Sequence, residues 1–505
     1  MAFLNVFVTF GTFFGTMLMT FIVRTVFIRT MGDVYLGLNG VVTSILSTLS
    51  IMDLGMESVF AFAFYKPLVD KNYLKLQAYL NLFKKMYRGI GISVFVLGMA
   101  LFPFLNNILG VDAGMLNEAK AFYLIMLTAT SSSYFFTYNR TILNADQKNY
   151  IVVLITFIIN FLGNVIQIIV LLSVKNLLIY AIIQLGMNVI ANILITLVTN
   201  KKYGKYFESA LDENAKLTKF EVKQLFKNVV GGFSNKIGSV VVFGTDNMII
   251  SAFVGLISVG KYSNYMMIIN SVSSILTKSI SAVTGSIGQK AAERPSQMVV
   301  LFNRLVFGVH FVLFITVPVM FIFFDSFISV WVGKRFVLPM DVLIVIILNF
   351  TLQISRIPAL IFIDATGLQW IQRWKSIVEA ILNLVASLTF VVIFKLGILG
   401  VSLGTLFSTI LSVYWYEPWI LYKKVFAKNV VGYFFREVVM KGQIIASTLV
   451  IFKIIHSNRQ LGLEQLLLHG ALGVLMELLL FVSLNFRRSE FSYYKMLICK
   501  KIGRI

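Results

Sequence analysis

The chain has 505 residues, 58% of them hydrophobic, with 46 phenylalanines and only 7 prolines. A water-soluble protein of this length cannot hide so much apolar surface, so the composition excludes an ordinary soluble globule and places the chain in a membrane. A net charge of +22 alone would suit nucleic acid, but the cations gather in short loops between apolar segments, as the positive-inside rule expects, which argues against that reading.

In chain order, apolar segments are predicted at 3–28, 37–64, 86–106, 119–141, 150–174, 177–199, 226–254 and 261–287. They continue at 299–323, 337–363, 374–394, 398–421, 440–456 and 464–485. Nearly all are long enough for a helix to cross a hydrocarbon core about 30 Å thick. Barrel strands would be about half as long and would alternate polar with apolar residues, which these do not. The expected fold is therefore all-α: a polytopic membrane protein of about 14 transmembrane helices. The first segment starts almost at Met1 and is too long for a signal-peptide core, so it reads as an uncleaved span.

Charge sets the orientation. With a cytoplasmic N-terminus, inside loops and adjoining span ends hold 32 of the 44 lysines and arginines, including Arg356 and the run from Lys201 to Lys227, and outside loops hold nine. A miscounted helix would scramble that split, so both termini are expected in the cytoplasm. Residues 1–200 form the expected N-terminal lobe of six spans, 201–225 a basic cytoplasmic linker with an amphipathic helix, and 226–422 a C-terminal lobe of six more. Residues 423–505 add a helix pair and a basic tail. The lobes read as pseudo-symmetric, because a hairpin near residues 21–67 recurs more faintly at 244–290. Both copies hold a Gly-x4-Gly turn (Gly32 and Gly37; Gly255 and Gly260), with Asn39 or Asn264 shortly after it.

Three cations, Arg24, Lys236 and Lys278, fall inside predicted spans. A charge at mid-membrane costs roughly 3 kcal/mol even on a lenient insertion scale, so such residues usually face a polar cavity. Cations there suit an anionic substrate, above all phosphate or pyrophosphate. Arg24 has an equally good structural reading, in which it reaches the outer headgroups. Among the acids, Asp246 in span seven can titrate, bind a coupling cation or pair with a cation. Asp53 and Glu57 share one face of span two at i, i+4. Glu379 and Glu477 are weaker candidates of the same kind.

Other features have bland readings. Gly255-x4-Gly260-Lys261 resembles the start of a phosphate loop, but Tyr262 stands where Ser or Thr is needed and no strand–helix unit surrounds it. No nucleotide, cofactor or metal is expected. The single cysteine, Cys499, excludes a disulfide framework, His310, His456 and His469 form no ligand motif, and no enzyme motif is evident. Intramembrane amides such as Gln167 and Asn192, and Gly11-x3-Gly15 and Gly400-x3-Gly404, suit helix packing. Tyr414, Trp415, Tyr416 and Trp419 suit an interfacial belt.

Several stretches resemble one family: RTVFIRTMGDVYLGLNG at 24–40, LSIMDLGMESVFAFAFYKPL at 49–68, LNADQKNYI at 143–151 and TDNMIISAFVGLISVGKYSNY at 245–265. They are similar to the Wzx-type polysaccharide flippases of the multidrug/oligosaccharidyl-lipid/polysaccharide exporter superfamily. The resemblance implies a non-enzymatic protein of a bacterial cytoplasmic membrane that works by alternating access. It would move an undecaprenyl-pyrophosphate-linked oligosaccharide repeat from the inner to the outer leaflet for capsule or exopolysaccharide assembly. Arg24, Lys236 and Lys278 would meet the pyrophosphate or acidic sugars, and Asp246, Asp53 or Glu57 would couple transport to an ion gradient. A polymerase and glycosyltransferases would be partners. Alternatives are a lipid II or teichoic-type precursor flippase and, further off, a drug/cation antiporter, for which cationic spans are a poor match.

Overall fold

A computed structural model describes residues 2–50, 70–111, 113–146, 148–208, 217–223, 244–281, 297–366, 368–372, 374–455 and 463–502, with isolated positions between them. Among these residues every regular element is helical. The helices are α1 (Ala2–Met31), α2 (Asp33–Leu49), α3 (Tyr73–Leu101), α4 (Ala113–Tyr134), α5 (Thr137–Ala145), α6 (Asn149–Ser173) and α7 (Leu177–Glu208). After them come α8 (244–253), α9 (Leu256–Ser281), α10 (Met298–Trp331), α11 (Met340–Ala365), α12 (Lys375–Leu388) and α13 (Gly397–Leu411). The chain continues with α14 (Val413–Leu421), α15 (Val431–Ile455), α16 (Leu463–Asn485) and α17 (Ser489–Ile502).

Eight helices among the described residues are long and apolar enough to cross a bilayer, and the chain is a multi-pass membrane protein. The predicted spans at 37–64 and 226–254 lie partly outside the described residues. Several boundaries differ from the sequence reading, and the residues read as Gly-x4-Gly turns after Gly32 and Gly255 are the first turns of α2 and α9. Helix α3 begins at Tyr73, within the stretch read as a basic loop, because Asn72 caps it by accepting a hydrogen bond from the Lys75 amide (3.0 Å). The predicted span at 119–141 is broken at Phe135 and Phe136, where the chain turns into α5.

The chain divides into two compact units. The first comprises 1–263 with 373–380, and the second 264–372 with 381–505. In the first, α1 packs on α6, α6 on α7, and α4 on both α3 and α7. Gly15 lets α1 lie against the Phe157 ring, where an added Cβ would come within 2.7 Å of ring carbons; Gly11, by contrast, borders open space. Gln167 and Asn192 tie helices together, as expected: Gln167 donates to the Tyr180 carbonyl (3.2 Å) and Asn192 accepts from Arg140 (2.7 Å), while Asn139 adds a bond to Thr196 (2.8 Å).

In the second unit α10 is the central helix, packed against α11, α15 and α16. Its Phe302 sits in an aromatic group with Phe362, Tyr422, Phe426 and Tyr433. Gly404 brings α13 so close to Ser387 of α12 that a Cβ there would overlap the Ser387 backbone, at 2.7 Å from its nitrogen. Asn383 donates to Thr405 (3.0 Å) across the same contact. Arg356, counted in the sequence among the cations of inside loops and adjoining span ends, lies within α11 and turns inward. It grips Glu417 of α14 through Nε (3.0 Å) and Nη2 (2.7 Å), and Glu417 is wholly buried. The exposed Trp415 and the Lys423 ammonium 4.7 Å from the Trp419 ring fit the interfacial reading of that segment. Tyr414 departs from it by turning inward to donate to Glu437 (2.9 Å).

Candidate functional site

The recurring hairpin is where the first unit builds its polar site. Gly32 (φ 88°) and Gly255 (φ 116°) immediately precede α2 and α9, in a backbone region that side-chain-bearing residues rarely adopt. Five residues further on, Gly37 and Gly260 let the starts of these two helices touch. A Cβ on Gly37 would fall under 3.0 Å from the Leu256 carbonyl oxygen, and one on Gly260 would stand 3.0 Å from the Asp33 carbonyl oxygen. Asp33 and Leu256 occupy the same position after their respective glycines, so the two contacts are reciprocal. The two related hairpins thus cross each other as pseudo-symmetric partners, backbone against backbone.

That crossing brings two of the expected site residues to adjacent positions of α9. Arg24, seven residues before the end of α1, donates from Nη2 to the Ser263 hydroxyl at 2.7 Å. Tyr180 of α7 lies within electrostatic reach of Arg24, with its ring 5.2 Å from that of Phe27. Asp246 of α8 is buried (3% exposed) and accepts a hydrogen bond from the Tyr262 hydroxyl at 3.1 Å through Oδ2. Its Oδ1 is sealed from solvent and has no hydrogen-bond partner among the described residues. The next residue, Asn247, donates to Ser44 of α2 at 2.9 Å while its own carbonyl oxygen is also buried without a partner. Ser251 donates to the Leu109 carbonyl at 3.2 Å and fastens the far end of α8.

This arrangement offers a guanidinium held by a neutral hydroxyl, and a short run of acceptor oxygens on α8. The first suits an anion and the second a proton or small cation. Lys278 is placed differently: it is exposed in the last turn of α9, within the second unit. Lys236, Asp53 and Glu57 lie outside the described residues. Among those described there is no group of three or more His, Cys, Asp or Glu placed to hold a metal.

The sequence reading missed Ser263, Asn247 and Ser44, and met Tyr262 only as the wrong residue for a phosphate loop. Hydroxyl groups are common along these helices and usually return a hydrogen bond to the preceding turn, as Thr16 does to the Thr12 carbonyl (2.8 Å). Nothing in the sequence marks the few that reach across to another helix. Glu379 is buried on α12, and Glu477 on α16.

No family model matches the chain, and no curated protein does either. Solved structures do. A structure of the lipid II flippase MurJ in an inward closed conformation matches with a TM-score of 0.62 at 15% identity, covering 96% of this chain and 100% of its own. A structure of the MATE multidrug transporter DinF-BH matches at 0.60 and 15% identity over 83% of this chain and 95% of its own. An inward-facing multidrug resistance MATE family transporter of the MOP superfamily matches at 0.59 and 10% identity over 79% and 93%. The chain therefore has the fold shared by MurJ and the MATE transporters.

Proposed function

We propose that this protein is a flippase for lipid-linked glycan precursors. In this reading it carries an undecaprenyl-pyrophosphate-linked oligosaccharide from the inner to the outer leaflet by alternating access, coupled to an ion gradient. The observation that carries the reading is the extent of the fold match. The MurJ structure covers 96% of the chain, which takes in most of 423–505, whereas the MATE structures leave about a fifth uncovered. A cation within a span, Arg24 beside Ser263, suits the pyrophosphate and is a poor feature for exporting cationic drugs. Asp246, with one oxygen sealed and unpartnered, is the site assigned to the coupling ion. Lys236 and Lys278 stay candidates for contact with the anionic substrate, and Asp53 and Glu57 for ion coupling, on the sequence alone.

The glycan itself separates a capsule or exopolysaccharide repeat from lipid II or a teichoic precursor. The test is a strain depleted of this protein, from which polyprenyl-linked glycans are extracted and assigned to a leaflet by access of an impermeant probe. Accumulation of complete units facing the cytoplasm, with loss of the surface polymer, is the expected result, and the extracted glycan names the substrate. Intact surface polymer with raised drug sensitivity would replace this reading with the antiporter.

A further inference from the structure

One buried acid has no part in the function proposed above. Glu477 lies on α16, eight residues and so about 12 Å from the end of that helix at Asn485. Its side chain is wholly buried (0% exposed), and neither carboxyl oxygen has a hydrogen-bond partner among the described residues.

The packing around it is layered. Helix α16 lies against α10 and α15. In one layer His310 of α10, Gln443 of α15 and Phe481 of α16 meet. The His310 Nε2 is 3.1 Å from the Gln443 side-chain oxygen, and the Phe481 ring is 5.6 Å from the imidazole. One turn along each helix come Phe314, Ser447 and Glu477. Phe314 stacks edge-on against Phe481 at 5.3 Å, and Ser447 faces Glu477. The Ser447 hydroxyl donates to the Ile444 carbonyl (3.0 Å) while standing close enough to interact with the carboxyl.

The ionisable groups that α10, α15 and the start of α17 bring toward this interface are few. From α10 it is His310. From α15 it is Lys441, nearer the cytoplasmic end and already paired with Glu437. From the turn into α17, Arg488 comes within electrostatic reach of His310, and Tyr494 stacks on Phe307 at 6.3 Å. No described cation pairs with Glu477 itself. A carboxylate sealed among phenylalanines, with the Ser447 hydroxyl beside it but no described cation paired with it, would lack most of what offsets its desolvation, whereas a neutral carboxylic acid asks for far less.

We propose that Glu477 is a proton-binding site of this protein, occupied in the arrangement of α10, α15 and α16 described here. Release of the proton requires the helix pair to rearrange until water or a cation reaches the carboxylate. The ligand is a proton, and the device lies in the C-terminal helix pair, independent of Asp246 and of what is transported.

Infrared difference spectra of the full chain in phosphatidylglycerol/phosphatidylethanolamine nanodiscs, stepped between acid and alkaline pH, test this directly. A protonated-carboxyl stretch is expected that Glu477→Gln removes and Asp246→Asn leaves in place. Labelling the wild type with 13C-glutamate must shift the same band, which keeps the test sound if the Gln variant folds poorly. A wild-type spectrum with no glutamate-derived band of this kind overturns the proposal. The linked motion is read by amide exchange over 472–481. Exchange corrected for its intrinsic pH dependence should rise at alkaline pH in the wild type and stay flat in Glu477→Gln, and equal corrected profiles in the two would refute the rearrangement.

Discussion

The contact between the two related hairpins makes Gly37 the most exacting single position in the first unit. Replacing it with alanine adds one methyl group, which would fall under 3.0 Å from the Leu256 carbonyl oxygen. Backbone cannot swing aside as a side-chain tip can, so α2 and α9 must separate. Overpacking of this kind costs about 1–3 kcal/mol, and a carbonyl as the obstacle places Gly37→Ala toward the upper end. Alanine recovers at most about 1 kcal/mol through its better helix propensity, which leaves a net loss of roughly 1–2 kcal/mol. The control is Gly186→Ala, also within a helix, where a Cβ meets nothing within 4 Å and the same propensity gain stands unopposed. Thermal midpoints of the purified protein in one detergent should fall for Gly37→Ala and stay level or rise for Gly186→Ala. Because Ser263 and Tyr262 lie just beyond the crossing on α9, Gly37→Ala should also weaken transport more than its loss of stability explains. Equal midpoints for the two variants would refute the backbone-contact argument.

Other positions yield sharper yes-or-no outcomes. Arg356→Ala or Glu417→Ala leaves a buried partner uncompensated and should cost about 3–5 kcal/mol, while the double change Arg356→Met with Glu417→Leu should recover most of it; midpoints that fall additively would contradict the pairing. Asp246→Asn keeps the Tyr262 hydrogen bond and should abolish the dependence of transport on a proton or sodium gradient, as followed in vesicles with an imposed gradient. Outside the spans, the Lys75 ammonium at 2.5 Å, together with the Thr218 amide and hydroxyl, holds the Glu221 carboxyl below its ordinary range. That contribution is fully present above the ordinary glutamate value near pH 4.3 and is lost as pH falls through the lowered folded value. Intrinsic-rate-corrected amide exchange at 219–223 should therefore rise between about pH 5 and pH 3, and Lys75→Ala should move the rise to higher pH. Both groups are largely in water, so the effect stays local and within about 1 kcal/mol.

How far the sequence is legible follows from what each signal measures. Hydropathy and length locate helices well, because an element that must satisfy its own backbone in lipid has little freedom to be anything else. The helix pair at 431–455 and 463–485 is readable this way, although α15 begins well before the predicted 440, and α9 starts at Leu256, within the stretch read as a turn. A charge in an apolar run is equally visible, which is how Arg24 and Asp246 stood out. Partners are not visible, since they depend on which helix face meets which. Glu417 sits inside the run YWYEPW, where the aromatic residues suggest a membrane interface, and Arg356 looked like one more cytoplasmic cation. Each conceals the other until α11 and α14 are placed side by side. The Gly-x4-Gly repeat shows the same limit. Its spacing says that two hairpins are related but not that they touch.

Acids within the helices fall into two kinds. Some in the second unit are closed off: Arg356 holds the buried Glu417, Lys441 and Tyr414 hold the buried Glu437, and Tyr265 donates to the half-buried Asp325 at 2.8 Å, with Glu477 the exception. Those pairings fix helices, because each links two elements and leaves little acceptor capacity for a ligand. The α8 face of the first unit is the reverse. Asp246 and Asn247 each keep an acceptor oxygen sealed and unmatched, at a cost on the order of 1–3 kcal/mol for each group. Two neighbouring acceptors left bare beside a helix crossing that alanine cannot enter are the place where, in the function proposed above, the coupling ion would arrive and leave. Substituting Asn247→Leu should therefore stabilise the resting protein or leave it level while impairing transport. An Asn247→Leu protein that transports normally would show the bare acceptors to be part of the packing and not of a site.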